Sequence, residues 1–144
     1  MKKPNVKLIR KEINGKRVSP VLPAHLKNYI VDIDGTICED IPNEEPERMP
    51  TAKVIPNAAD TINKWYEEGH IITFFTSRTE EHRAVTENWL EKNGFKYHKL
   101  IVGKPRGGNY QWIDNASINV LNIKEDFWKF NFSRNKVIGF RPSA

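Results

Sequence analysis

The sequence predicts an α/β fold: a three-layer parallel sheet with helices on both faces. Three observations carry it. Short apolar runs at residues 29–33, 71–75 and 100–102 each end in polar residues. Stretches with helical spacing separate these runs, and glycines mark where the helices stop. Strands alternating with helices at such intervals build parallel sheets. The 144 residues are the length of one domain. It reads as an arm over residues 1–22 and a core over residues 28–122.

The arm comes first. Two short runs, residues 6–13 and 16–18, flank Asn14-Gly15. Both turn residues accept positive φ, which makes the segment a two-residue β-hairpin. Pro20 and Pro23 separate it from the core. Residues 29–33 form a buried strand ending in an acidic turn. Residues 39–56, with four prolines and the acids Glu39, Asp40, Glu44, Glu45 and Glu47, are irregular, and the acids read as a solvated loop. Asn57 then caps a helix that stops at Gly69 and places Ala58, Ile62, Trp65 and Tyr66 on one face. Residues 71–75 form the second strand. Ser77 and Glu80 have the spacing of a capping box, which opens a second helix carrying Val85, Trp89 and Leu90 and ending at Asn93-Gly94. Residues 100–102 and 110–113 are the third and fourth strands. Residues 124–130 read as a short amphipathic helix, and Trp65, Trp89, Trp112 and Trp128 as core or interface residues.

Composition narrows the function classes. A hydrophobic share of 38% with 28% charged residues supports one core and excludes a disordered chain. The longest apolar runs are too short to cross a bilayer, so no membrane role is expected. Met1 to Asn5 lead into no apolar signal region, and a cytoplasmic location is expected. The single cysteine, Cys38, excludes an intramolecular disulfide and a thiolate metal site. The net charge of +5 is uneven: residues 1–17 hold seven Lys/Arg and one acid, against sixteen basic and seventeen acidic residues elsewhere. The arm alone is basic. A solvated strand pair is the preferred reading of it over nucleic-acid contact. His25, His70, His82 and His98 share no ligand spacing and read as structural or surface residues.

Four polar clusters fall where strands end: Asp32-Ile33-Asp34-Gly35-Thr36, Thr76-Ser77-Arg78, Gly103-Lys104-Pro105 and Asp114-Asn115. Parallel sheets bind ligands at their carboxyl edge. In an extended chain Asp32 and Asp34 point the same way, Gly35 permits a sharp exit, and the Thr36 hydroxyl can hold the turn. Three carboxylates converging at one edge need a cation. Oxygen donors with neither cysteine nor a His pair select a hard ion, Mg²⁺. Such an ion beside a lysine and a hydroxyl suits phosphoryl transfer.

In this order and spacing, the four clusters resemble the motifs of the haloacid dehalogenase superfamily, over residues 29–122. The resemblance implies a Rossmann-like sheet with Asp32 as nucleophile and Asp34 as general acid/base. It implies that Thr76, with Ser77, binds the phosphoryl group and that Lys104 neutralises it. Asp114 would hold Mg²⁺ together with Asp32 and the Asp34 carbonyl. Asn115 stands where the family often has a second acid, which leaves the completion of the metal shell open. The short segment after the first motif implies a capless member, whose site is covered by a large substrate or by another subunit. Arg78 and Arg106 are candidate substrate or supporting residues. Arg78 could instead pair with Glu80, Glu81 or Asp114, and Gly107-Gly108 reads equally as an anion cradle or a plain loop. The expected function is a Mg²⁺-dependent phosphomonoesterase acting on a small phosphorylated metabolite, a sugar or sugar-acid phosphate. The alternatives are a phosphatase of nucleic-acid ends or phosphoproteins, and a non-catalytic binding module. A homo-oligomer is expected, with the basic arm packed near a neighbour's acidic 39–47 loop.

Overall fold

The structure, a computed structural model, describes residues 6–123, Phe127 and the strand residues 130–131 and 136–137. Asn14 (φ 52°) and Gly15 (φ 75°) both take left-handed backbone, and the chain reverses there as the turn residues predict. Strands β1 (Ile9–Ile13) and β2 (Lys16–Val21) pair antiparallel, with Ile13 opposite Lys16. The second strand runs on through Pro20, which an unpaired outer edge tolerates. Every residue of the two strands except Val18 is exposed.

The core sheet is parallel. β3 (Asn28–Val31), β4 (Ile71–Phe75) and β5 (Lys99–Ile101) lie in that order, with Val31 opposite Phe74 and Phe75 opposite Ile101. Between them run α1 (Ala58–Glu67) and α2 (Arg83–Lys92). Each strand steps to the next in the same direction. Right-handed crossovers therefore set both helices on one side of the sheet. Tyr29, Val31, Ile72, Phe74 and Leu100 face that side. Trp65 of α1 stacks on Tyr29 at 3.9 Å between centroids, and Phe95, beyond α2, meets Phe74 edge-on at 5.9 Å. On the other side Ile30 and Ile101 are exposed. Among the described residues both α-helices lie on the one side.

The expected fourth strand is not formed. Residues 110–113 pair with no strand, and Tyr110, Trp112 and Ile113 are exposed. The β-preference of such residues reports fit to a half-buried pleated surface, and here the segment pairs with neither outer strand of the sheet. Trp112 is accordingly not a core residue, whereas Trp65 and Trp89 are buried. Trp128 and most of residues 124–130 lie outside the described residues; Phe127 is buried beside Trp65. The strands β6 (Phe130–Asn131) and β7 (Lys136–Val137) pair antiparallel.

Two helix starts also differ from expectation. Asn57 precedes α1 in left-handed backbone (φ 66°) and makes no side-chain cap bond. The Ser77–Glu80 capping box does not form. Ser77 Oγ donates instead to the Pro105 carbonyl at 3.3 Å, Glu80 binds Arg83, and a 3-10 turn over Glu80–His82 precedes α2. Tertiary contacts outbid the local cap. Both helices end as predicted, at Gly69 (φ 95°) and at Asn93-Gly94 (Gly94 φ 75°).

The proline-rich segment is not a cap over the site. Ile37, Cys38, Ile41, Met49 and Ala52 are buried in the same core, with a 3-10 helix at Pro46–Thr51. Trp89 Nε1 donates to the Ala52 carbonyl at 2.9 Å and ties this segment to α2. His70 and His98 accept backbone N–H bonds from Lys27 and Ile72, both at 3.0 Å, which makes them structural. No helix among the described residues is long and apolar enough to cross a membrane.

Candidate active site

The site grows from the end of β3. Ile33 is buried between Asp32 and Asp34, so the two carboxylates emerge together on the other side of the chain. Gly35 (φ 81°) makes the exit, and the Ile33 carbonyl collects the N–H groups of Thr36 and Ile37 at 3.0 and 2.9 Å. This tight turn aims the Thr36 hydroxyl back at Asp32, where it donates to Oδ2 at 3.0 Å. Lys104, 72 residues on, donates from Nζ to the other oxygen, Oδ1, at 2.9 Å. Asp32 is thus oriented through both oxygens while its side chain keeps 37% exposure.

The exit loops of β4 and β5 lock together to place Lys104. Thr76 N–H donates to the Ile101 carbonyl, Lys104 N–H to the Thr76 carbonyl, and Gly103 N–H to the Arg78 carbonyl, all at 2.8–2.9 Å. The lysine lies beside two rings, 5.0 Å from the Tyr110 centroid and 5.8 Å from Phe75. Thr76 is fully buried. Its Oγ1 accepts the Arg78 N–H at 3.1 Å, which leaves the hydroxyl proton available as a donor.

Arg78 is the centre of the network. Its side chain is completely buried, and it meets none of the partners expected for it. Nε and Nη2 donate to Asp34 Oδ2 and Oδ1 at 3.0 and 2.8 Å, a two-pronged carboxylate grip. Nη1 donates to Thr86 Oγ1 at 2.9 Å, and Thr86 in turn donates to the His82 carbonyl. Arg78 therefore supports Asp34. Thr86 carries no motif in the sequence; its signal is only a threonine on the buried face of α2. Cys38, beside this pair, is pushed up to about 12 by burial and by the negative charge of Asp34. It is no nucleophile.

The structure brings Asp32, Asp34, Thr76, Ser77, Arg78 and Lys104 together; Asp114 and Asn115 are tied to them by no hydrogen bond or ion pair among those described. Both are exposed and directly follow the segment that fails to form a strand. The Asp114 oxygens accept from Ala116 N–H at 3.0 Å and Trp112 Nε1 at 3.4 Å, bonds that hold its carboxyl below the usual range. Among the described residues no three His, Cys, Asp or Glu side chains are placed to share a metal ion. The donor chemistry at β3 still fits a hard cation: a partly exposed Asp32 carboxylate and peptide oxygens in the same turn. Two residues at the rim carried no motif. Asn43 Nδ2 donates to the Ser77 carbonyl at 2.9 Å, and the Tyr110 hydroxyl donates to the Pro105 carbonyl. Arg106 lies at the same rim, against Glu44.

The chain matches the family described as "PITM 1-3, LNS2 domain" over residues 29–122, which span all four clusters. It is 29% identical over 66 residues to a Bacillus cereus protein named "Putative nucleotidase", covering 44% of this chain and 35% of that one. The chain thus spans about a third of that relative. Among solved structures, a structural-genomics target from Vibrio cholerae is similar with a TM-score of 0.50 at 21% identity, over 65% of this chain and 83% of the other. A chain in the structure of the Pnkp1/Rnl/Hen1 complex also reaches a TM-score of 0.50, at 20% identity, over 73% of this chain and 40% of its own. At these identities the two structures speak to the fold.

Proposed function

Because the chain belongs to the LNS2-domain family of PITM 1-3, and with it to the haloacid dehalogenase superfamily of phosphatases, we propose that it hydrolyses a small phosphorylated metabolite, a sugar or sugar-acid phosphate. The observation that carries the reading is Asp32 itself. It is partly exposed, oriented by Thr36 on one oxygen and charge-paired with Lys104 on the other. A carboxylate becomes a useful nucleophile when it is fixed in place and its phosphate target is neutralised.

In the proposed sequence an Asp32 oxygen attacks phosphorus, and the bond from phosphorus to the leaving oxygen breaks. That oxygen takes a proton and departs as an alcohol. Water then attacks the aspartyl-phosphate, releases inorganic phosphate and restores Asp32. Lys104 holds the phosphoryl oxygens through both steps, with the Thr76 hydroxyl as a further donor. Asp34 is the proposed proton carrier. Both of its oxygens accept N–H bonds from Arg78, so it reaches the leaving oxygen only after one of those bonds opens. Bound Mg²⁺ would supply charge neutralisation at the phosphoryl oxygens. Asp32 and the Asp34 carbonyl would hold it, with Asp114 as the third ligand proposed from the motif.

The test is p-nitrophenyl phosphate hydrolysis with Mg²⁺. Asp32→Asn is expected to lose about a thousandfold or more in kcat, since an amide cannot form the phosphoenzyme, and EDTA is expected to stop the wild type. Near wild-type rates in Asp32→Asn would overturn the covalent route. A second reading is a binding module without turnover, since among the described residues no three His, Cys, Asp or Glu side chains are placed to share a metal ion. Hydrolysis that depends on Asp32 would exclude it.

A further inference from the structure

One ion pair crosses the rim of the site and has no part in the chemistry above. Arg106 Nη2 donates to both carboxylate oxygens of Glu44, at 2.5 and 2.9 Å. The two residues are 62 positions apart, and each stands next to the site. Asn43, beside Glu44, holds the Ser77 carbonyl; Lys104, two residues before Arg106, holds Asp32.

The loop around Arg106 is shaped for this position. Gly107 (φ 107°), Gly108 (φ 69°) and Asn109 (φ 55°) form three consecutive left-handed residues, and Gly103 (φ 80°) precedes them. Nothing lies within 4 Å of where a Cβ would sit on Gly103, Gly107 or Gly108. Glycine therefore serves the direction of the backbone there, not a close approach. The Tyr110 hydroxyl closes the loop onto Pro105.

The pair itself is open to water, with side-chain exposures of 58% and 59%. Ion pairs so placed hold weakly and exchange with other anions. Both contacts use the same nitrogen, and a guanidinium fork has further donors for a planar carboxylate. The Glu44 carboxylate shows what chemistry the fork accepts.

Resting on the phosphatase reading, we propose that Arg106 sets specificity by receiving a carboxylate on the leaving-group part of the substrate, and that Glu44 occupies this place until the substrate displaces it. The preferred substrates are then phosphomonoesters of hydroxy acids. Arg106 and Glu44 act as a clamp and its competitor.

Binding of non-hydrolysable mimics tests the clamp apart from turnover. Full-length protein with Mg²⁺ is titrated calorimetrically with phosphonates carrying a terminal carboxylate, over a series of chain lengths, each against the alkylphosphonate of equal length. In the wild type, the acid of fitting length should bind about five- to tenfold tighter than its alkyl partner, the size expected of a partly exposed charge-assisted contact. Arg106→Gln should bring that ratio close to one. Glu44→Gln should raise it several-fold, because the competitor is gone. A ratio that survives Arg106→Gln, or that is near one at every length in the wild type, overturns the proposal. A persistent preference in a protein that hydrolyses no phosphomonoester would refute the phosphatase reading while leaving the clamp standing.

Discussion

Replacing Arg78 by methionine probes the joint on which the site is built. The substitution keeps an unbranched apolar stem and removes every donor. Four hydrogen bonds are lost: two to Asp34, at 2.8 and 3.0 Å, one to Thr86, at 2.9 Å, and a weak one to Cys38 Sγ, at 3.9 Å. Thr86 keeps its bond to the His82 carbonyl, so its loss is small. Asp34 keeps only a weak thiol donor, Cys38 Sγ at 3.7 Å. Its side chain is only 16% exposed, and the carboxylate is left without its cation. Breaking a largely buried pair from one side costs about 3–5 kcal/mol. In a chain of this length that lowers Tm by about 10–15 °C. Urea and thermal denaturation of wild type, Arg78→Met, Asp34→Asn and the double variant form a cycle. The double variant replaces the stranded charge by a neutral amide and should recover about 2 kcal/mol or more relative to the sum of the singles. Additive losses, or a loss below about 1 kcal/mol in Arg78→Met, would mean that Asp34 finds other donors and that the grip is not a structural joint.

Two further outcomes follow from the same geometry. Cys38, raised to about 12, keeps its thiolate to about one part in ten thousand at pH 8; native protein should therefore resist iodoacetamide through pH 9 and react once unfolded, and fast alkylation of the folded chain would contradict the burial. The arm is expected to pack in an oligomer, because an isolated hairpin with both strands exposed is marginal in water. A chain starting at Ser19 should sediment as a smaller species or show a changed KM, with high salt loosening the full-length assembly; the same mass and the same KM in both would leave the arm a passive extension.

Much of this fold is written locally. The hairpin follows from Asn14-Gly15, because only a few residue types accept left-handed backbone at both turn positions. The helix ends follow from Gly69 and Gly94 for the same reason. The sharp exit after Asp34, with Thr36 folded back on Asp32, is likewise set by neighbours in sequence. The local signals failed where a distant contact competed. Ser77 and Glu80 have the spacing of a cap, yet Ser77 reaches Pro105 because the β4 and β5 exit loops lie side by side. Tyr110, Trp112 and Ile113 look like a strand, yet strand formation depends on pairing with a sheet edge, which residues 110–113 do not carry in themselves.

The sequence by itself determined which residues stand at the strand ends and which turns they make, since hydrophobic period and turn chemistry act over a few positions. Tertiary structure decided the pairings: Lys104 with Asp32 across 72 positions, Arg106 with Glu44 across 62, and Arg78 with Asp34 across 44. Such pairings depend on the register of parallel strands and on the hand of the crossovers between them. Those are properties of the packed sheet as a whole, and no short stretch of the chain encodes them.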